Sequence, residues 1–176
     1  EKGYAQSSTT GLHCPVLLGV VHKPCKVRNN QGCSLGLCSI IEGGNLHKGP
    51  LEGFKVLDMS SVVSGPMAAV MLADQGADVV KIEPPGWGDG IRRLGANRNG
   101  LSAIYAMINR NKRSLALNFK HPRGKDLLVR LVEQSDVLLQ NYRPRKLDRI
   151  GLGYEDLKVV NENLIYTSIS GMGSVG

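Results

Sequence analysis

Cysteine is absent from the larger part of this chain. The four cysteines all lie within the first 50 residues, at Cys14, Cys25, Cys33 and Cys38. Three of the four histidines share that segment, but no Cys-x-x-Cys pair occurs, so the spacing of a structural zinc site is missing. We therefore predict no metal site.

Aromatic residues and long apolar runs are also scarce. Aromatics make up 5% of the chain, and no apolar run reaches the roughly 18 residues that a membrane-spanning helix needs. We therefore expect no membrane partner. The 22 glycines and the hydrophobic fraction of 41% are typical of a loop-rich α/β domain with a buried core. The net charge of +7 suits an anionic partner, such as a phosphorylated cofactor, without identifying one.

The first 49 residues lack a sustained helical or strand periodicity. Polar and glycine-rich stretches at 7–10, 29–32 and 43–44 are typical of loops. The apolar patch at 16–21 is too short and lies too deep for a secretory signal. We predict that residues 1–49 are disordered or extraneous to the fold that follows, with a remnant of a targeting sequence as the alternative.

Both ends of the sequence indicate an incomplete gene product. The chain begins at Glu1, and its first methionine, Met59, already lies in the first predicted strand. The chain ends within the glycine-rich stretch 171–176, where no domain is expected to stop. We expect a fragment.

From residue 54 onward, short apolar runs alternate with segments of helical period. The predicted strands cover 54–59, 77–83, 114–119, 136–142 and 164–170. The predicted helices begin at Pro66 (ending at a C-cap at Gly76) and cover 101–107, 122–134, 144–150 and 154–160. Strands separated by helices in this way predict βαβ units and a parallel sheet. We therefore predict a Rossmann-like, doubly wound α/β fold that is incomplete at the C-terminus.

Ligands of open parallel sheets bind beyond the carboxyl ends of the strands. The candidate loops are therefore 60–66, 83–93, 120–123, 141–143 and 170 onward. The glycines of 86–90 do not indicate NAD, because they follow the second strand and Ile91 stands where a further glycine is expected. The basic residues between 92 and 113 have a single aromatic, Tyr105, among them and form no recognised nucleic-acid-binding module, so we predict no nucleic-acid partner.

The carboxylates do not by themselves reveal a reaction. Asp58 and Glu83 stand near strand ends, and we interpret them as structural hydrogen-bond acceptors rather than nucleophiles. No Ser-His-Asp arrangement can be assembled around them. We therefore predict no catalytic residue within the chain from composition and spacing.

Several ordered blocks together resemble a known family. The most recognisable is Leu72-Ala73-Asp74-Gln75-Gly76-Ala77-Asp78, which runs on through Glu83 after Ser64-Gly65-Pro66. Further blocks follow at 50–58, 109–115, 136–144, 147–154, 164–166 and 170–171. Together they resemble the family III CoA-transferases, which include formyl-CoA transferase, carnitine CoA-transferase relatives and the α-methylacyl-CoA racemases. The resemblance covers residues 50–176, which we assign to the N-terminal part of the family's large domain.

The resemblance implies that coenzyme A binds to this part of the chain. The positions that match the family's CoA contacts are Val62, Val63, Leu117, Lys120, Asn141, Tyr142, Arg149 and Ile150. At Pro84 the sequence departs from the family, which has an arginine there, so the adenine-side contact is not assigned. The resemblance further implies an interlocked homodimer for the full-length protein, with an acyl-CoA and a carboxylate acceptor as partners.

The family's chemistry uses an aspartate as the nucleophile on the acyl-CoA thioester. A mixed anhydride and then an aspartyl-CoA thioester are formed, which divides one difficult acyl transfer into easier covalent steps. The matching aspartate is expected beyond residue 176, so we predict that the chain alone is inactive.

Two alternatives to a CoA-transferase stay open. The racemases of this family move an α-proton, but the long link between Gly90 and Asn111 favours the transferases. An inactive CoA-binding relic is the alternative of another class. We expect a cytoplasmic location, with a mitochondrial or peroxisomal one open if the source is eukaryotic.

Overall fold

The computed structural model describes residues 49–173, so the predictions for the preceding segment lie outside the described residues. The strands are β1 (Lys55–Asp58), β2 (Asp78–Glu83), β3 (Asn97–Arg98), β4 (Leu101–Ser102), β5 (Lys112–Ala116), β6 (Val137–Gln140) and β7 (Ile165–Ser168). The helices are α1 (Ser64–Asp74), α2 (Ala103–Ile108), α3 (Pro122–Val132) and α4 (Tyr154–Lys158), with 3₁₀ helices at Gly90–Arg93 and Asp148–Ile150.

Five strands form one parallel sheet in the order β5-β2-β1-β6-β7. β1 lies at its centre, where Val56 is paired with Val79 of β2 on one side and Val137 of β6 on the other. The chain therefore builds one half of the sheet through β2 and β5 and then returns to build the other through β6 and β7. This arrangement confirms the predicted Rossmann-like α/β fold.

The sheet is covered by apolar side chains on both faces. Val56 belongs to a buried cluster with Ala69 and Ala73 of α1. Its neighbour Leu57 points to the opposite face and belongs to a larger cluster that includes Leu128 of α3. Burial on both faces explains why the central strands have continuous apolar runs instead of alternation.

The helix predicted to begin at Pro66 and the helix predicted over 144–150 were wrongly bounded. α1 begins at Ser64, two residues before Pro66, and the Met67 amide donates to the Val63 carbonyl at 2.8 Å. Proline fits there because the first amides of a helix have no intrahelical acceptor. The helix predicted over 144–150 is reduced to the 3₁₀ helix Asp148–Ile150, since Arg145 has a φ of 63°, which a right-handed helix excludes.

The third predicted strand was misplaced by two residues. β5 begins at Lys112 instead of Ser114, and it ends at Ala116, so Leu117 and Phe119 lie in the loop that follows. Its first residues are charged, but Lys112 pairs with Asp58 and Arg113 with Asp78. Ion pairs therefore place charged side chains in a strand whose apolar pattern alone indicates a later start.

The antiparallel hairpin formed by β3 and β4 was not predicted. Asn97 is paired with Ser102, and Arg98 with Leu101, across a turn at Asn99 and Gly100. Both turn residues have positive φ, 53° and 80°, as the favoured two-residue hairpin turns require. The expected start of a helix at Leu101 is therefore wrong, and α2 begins two residues later.

Candidate functional site

The carboxyl ends of β1 and β6 meet where the direction of chain progression through the sheet reverses. The loops that follow the two strands are joined by a reciprocal pair of hydrogen bonds between Ser61 and Asn141. The Ser61 amide donates to Asn141 Oδ1 at 2.8 Å, and Asn141 Nδ2 donates to the Ser61 carbonyl at 2.7 Å. This topological switch point is where doubly wound folds usually bind ligands.

The loop after β1 presents two valines to solvent at this point. Val62 is 49% exposed and Val63 is 44% exposed. Val62 has a φ of 68°, a left-handed conformation that is unfavourable for a β-branched residue. Its amide donates to both carboxylate oxygens of Asp89, at 3.0 and 3.1 Å.

A buried group of four charges lies beneath this loop. Lys112 Nζ donates to Asp58 Oδ2 at 2.8 Å, and Lys81 Nζ lies 3.2 Å from Asp89 Oδ2 and 3.7 Å from Asp58 Oδ2. All four side chains are at most 1% exposed. Two positive and two negative charges balance one another, as burial demands.

Burial also affects the proton affinity of this group. It lowers the pKa of the Lys112 ammonium from its ordinary value of 10.5, while the Asp58 carboxylate acts in the opposite direction. The ammonium donates as well to the Pro66 carbonyl and to Asn109 Oδ1, at 2.8 and 3.0 Å. Lys112 thereby ties β5 to β1 and to the start of α1.

Glu83, at the end of β2, supports the neighbouring loop. Its carboxylate accepts hydrogen bonds from the Asp89 amide at 2.7 Å, from Arg92 Nε at 2.9 Å and from the Tyr105 hydroxyl at 3.0 Å. Burial alone would raise the pKa of Glu83, but these donors outweigh it and lower the pKa below 4.5. Asp58 likewise accepts from the Ser60 amide at 3.0 Å, so both carboxylates accept hydrogen bonds from backbone amides, as expected of structural acceptors.

The loop after β6 is held from the other side of the switch point. Gln140 Oε1 accepts from the Tyr142 amide at 2.7 Å, and Gln140 Nε2 donates to Ser168 Oγ of β7 at 2.8 Å. Burial raises the pKa of the Tyr142 phenol, and the nearby carboxylates act in the same direction, so the phenol stays protonated. The Tyr142 ring meets Phe119 edge-on, with centroids 6.0 Å apart.

Two clefts open along the carboxyl edge of the sheet. The first, of about 380 Å³, is called the switch-point cleft and is lined among others by Ser64, Asn141, Tyr142, Arg143, Ser170 and Gly171. The second, of about 550 Å³, is called the α3 cleft and is lined among others by Pro85, Leu117, Asn118, His121, Arg123 and Arg130. The Phe119–Tyr142 contact joins the loops that border the two clefts.

The structure brings together some of the predicted CoA contacts but not all of them. Val62, Val63, Asn141 and Tyr142 belong to the two loops that meet at the switch point. Leu117 lines the α3 cleft, and the exposed Lys120 lies in the same loop.

The remaining two predicted contacts belong to the 3₁₀ helix Asp148–Ile150. Arg149 is exposed, while Ile150 packs with Tyr142 against the larger core cluster. Neither of these two residues lines either of the two clefts.

The roles of Asp89, Lys81 and Lys112 were not apparent from the sequence. A local signal for Asp89 was present, because it stands directly before the 3₁₀ helix Gly90–Arg93 and accepts from the Ile91 amide as an N-cap. The two lysines had no such signal, since a lysine in a strand usually faces solvent.

Residues 49–173 contain no group of His, Cys, Asp and Glu side chains arranged to hold a metal ion. In the same part of the chain, none of the helices is long and apolar enough to cross a membrane.

Known proteins with similar sequences carry a consistent set of names. The chain is 45% identical over 128 residues to succinyl-CoA:glutarate CoA-transferase of Homo sapiens, covering 72% of this chain and 29% of that protein. It is 43% identical over 123 residues to formyl-CoA:oxalate CoA-transferase of Escherichia coli O81 (strain ED1a), covering 69% of this chain and 30% of that protein. The chain thus spans about a third of the length of these relatives.

A solved structure and a family model agree with these similarities. The crystal structure of a CAIB/BAIF family protein from Brucella suis matches with a TM-score of 0.68 and 40% identity, over 73% of this chain and 35% of that one. The sequence model of CoA-transferase family III matches residues 51–176. The chain belongs to CoA-transferase family III.

Proposed function

We propose that this protein transfers CoA from an acyl-CoA to a carboxylic acid, and that the loops after β1 and β6 hold the CoA. Membership of the family supports the reaction class, as do the similar proteins named as CoA-transferases. Those names lend no support to the racemase alternative.

The observation that carries this proposal is the meeting of the two loops at the switch point. Val62 and Val63 are exposed there, and Asn141 and Tyr142 line the adjoining cleft. Arg143 lines the same cleft, and the Lys146 ammonium lies 4.7 Å from the centre of the Tyr142 ring. Cations beside an open cleft suit the phosphates of CoA.

The α3 cleft is proposed to take the nucleotide end of CoA. Leu117 supplies an apolar wall, while Arg123, Arg130 and His121 supply nitrogen donors. Pro84 stands where the family has an arginine, and it directly precedes Pro85, which lines this cleft. We therefore propose that cations of α3 take the place of the missing arginine, with Lys120 and Arg149 as further contacts at its margin.

The proposed chemistry proceeds through an aspartyl intermediate. The aspartate carboxylate attacks the thioester carbonyl and expels the CoA thiolate, which gives a mixed anhydride. The thiolate then attacks the aspartyl carbonyl of this anhydride, forms the aspartyl-CoA thioester and releases the donor acid. The acceptor carboxylate then attacks the aspartyl-CoA thioester and expels the CoA thiolate. The thiolate attacks the acceptor's carbonyl in the new anhydride, which forms the product acyl-CoA and regenerates the aspartate. We expect the aspartate in a block after residue 176, as the resemblance implies. The role proposed for the present residues is therefore to hold CoA, within an interlocked homodimer.

The direct test is a CoA-transfer assay on the longest natural form of the protein. Succinyl-CoA is offered with a panel of carboxylates such as glutarate and oxalate, and new acyl-CoA is detected by mass spectrometry. We expect transfer by that form, and CoA binding without turnover by residues 1–176. If the longest form binds CoA without transferring it, the proposal is contradicted and the relic alternative is favoured.

A control assay distinguishes racemisation from transfer. The same protein is incubated with a 2-methylacyl-CoA in deuterated water without an acceptor. We expect no deuterium at the α-carbon, and its uptake would contradict a transferase.

A further inference from the structure

The side chain of Val62 does not explain why this residue adopts a left-handed backbone conformation. The side chain is half exposed, so burial of the isopropyl group does not compensate for the unfavourable φ of 68°. Glycine would adopt this φ without steric cost, whereas a β-branched residue is rare there. Some other interaction must therefore hold the backbone in this conformation.

That interaction is the hydrogen bond to Asp89, 27 residues further along the chain. Both carboxylate oxygens lie within 3.1 Å of the Val62 amide nitrogen. The carboxylate is itself fixed, because it also accepts from the Ile91 amide at 3.1 Å and from Lys81 Nζ at 3.2 Å. Asp89 is only 3% exposed, so water competes little for these contacts.

Lys81 holds the same turn at a second point. Its ammonium donates to the carbonyl of Ser60, two residues before Val62, at 2.5 Å. The buried Lys81–Asp89 pair therefore holds two backbone groups of this turn. Lys81 binds the Ser60 carbonyl, and Asp89 binds the Val62 amide. The turn remains fixed even though its side chains project into solvent.

Strained backbone that the surrounding structure enforces tends to occur at functional sites. Here it lies at the switch point, beside the Ser61–Asn141 contact that joins the two loops. A loop that is already ordered loses less conformational entropy when a ligand binds. A buried ion pair enforces the strain at this point, and a role in ligand binding accounts for it.

We propose that Asp89, neutralised by Lys81, is a positioning residue that holds Val62 in the left-handed conformation required for ligand binding. The identification of the ligand as CoA rests on the proposed function. The conformational part of the inference does not depend on the ligand.

The test is a double-mutant cycle on Asp89 and Val62 with two readouts. D89N keeps the shape of the side chain but removes its charge, and we expect hydrogen exchange of the Val62 amide to accelerate about tenfold and the Kd for CoA to rise about tenfold. In a V62G background, where the left-handed conformation costs little, D89N should raise the Kd less than about threefold. D78N, which removes the charge of an exposed carboxylate paired with Arg113, is the matched control and should leave both readouts unchanged.

A second pair of variants keeps the inference testable if D89N does not fold. V62A and V62P both remove the exposed valine side chain, but only V62P removes the amide hydrogen and imposes a negative φ. We expect V62P to weaken CoA binding at least about tenfold more than V62A. Equal Kd values for these two variants would contradict the inference.

The readouts also separate this inference from the proposed function. If the unmodified protein does not bind CoA, the proposed function fails, and the exchange rate of the Val62 amide still decides whether Asp89 holds the turn. If the protein binds CoA but D89N changes neither the exchange rate nor the Kd, the role of Asp89 is overturned while the proposed function stands.

Discussion

At the residue scale, carboxylates at the ends of strands and in the loops beyond them organise the backbone around the switch point. Asp58, Glu83 and Asp89 each accept at least one backbone amide, and each is paired with a cation. Hydrogen bonds from charged groups of this kind are stronger than those between neutral groups. Replacing Asp58 by an apolar residue would leave the buried ammonium of Lys112 without its carboxylate partner.

The loss of folding stability at acid pH should depend on Glu83. Its pKa is lowered in the folded protein, so its contribution to stability is present above pH 4.5 and is lost as the pH falls through the folded-state pKa. We expect the urea midpoint of the unmodified protein to fall as the pH is lowered below about 4.5. In E83Q, the midpoint should be lower at pH 7 and should depend less steeply on pH over that range.

The comparison is made by urea denaturation at several pH values on both proteins. E133Q, at an exposed position, serves as the control and should keep the pH dependence of the unmodified protein. An unchanged pH dependence in E83Q would contradict the assignment.

Residue roles were only partly accessible from the sequence. The family resemblance identified Val62 and Asn141 as candidate contacts, and the structure brings their loops together. Asp89 was not assigned a role, although its loop, 83–93, was among the candidate ligand loops. A contact between residues separated by 27 positions leaves no local pattern, so its discovery required the fold.

At the scale of elements, the start of α1 packs unusually closely against the loop after β1. A Cβ added at Gly65 would lie 2.2 Å from Ser60 Cβ and 3.1 Å from Leu139 Cδ2. The absence of a side chain at Gly65 therefore allows the helix to approach the switch point.

Gly65→Ala should separate these elements. Alanine is a better helix former than glycine, but here the clash should dominate and lower the free energy of unfolding by about 1–3 kcal/mol. We also expect weaker CoA binding, since Ser60 belongs to the turn that Lys81 holds. Urea denaturation measures the first effect and calorimetric titration with CoA the second.

Gly90→Ala is the matched control for this substitution. A Cβ at Gly90 would meet no atom within 4 Å, and the φ of this residue lies outside the left-handed region. We expect it to leave the free energy of unfolding within about 0.5 kcal/mol of the unmodified protein. If Gly65→Ala is equally harmless, the close approach of α1 is not required.

Elements with strong apolar periodicity were predictable, and those stabilised in other ways were not. β1, β2, β6 and β7 were found within one or two residues of their observed bounds. β5 was misplaced because its first residues are charged and are held by ion pairs. Such residues leave no apolar periodicity in the sequence. The hairpin of β3 and β4 was missed because two-residue strands have no period, although Asn99-Gly100 is a strong turn signal.

At the scale of the whole molecule, the strand order creates the candidate site. Only a sheet that is built outward in both directions from β1 places the loops after β1 and β6 side by side. The alternation of strands and helices predicted the fold class, but the strand order became known only from the structure. Among residues 49–173, the cations of Lys81, Arg92, Arg110, Lys112 and Arg113 form ion pairs with carboxylates.

The central claim is that CoA binds where these two loops meet, and a titration of the 15N-labelled chain with CoA tests it most directly. In amide correlation spectra, we expect the largest shift changes at Val62, Val63, Asn141 and Tyr142, with smaller changes around Leu117. The β3–β4 hairpin, outside both clefts described above, should remain unchanged. Saturable changes confined to other regions, or no saturable change anywhere in the spectrum, would contradict the account.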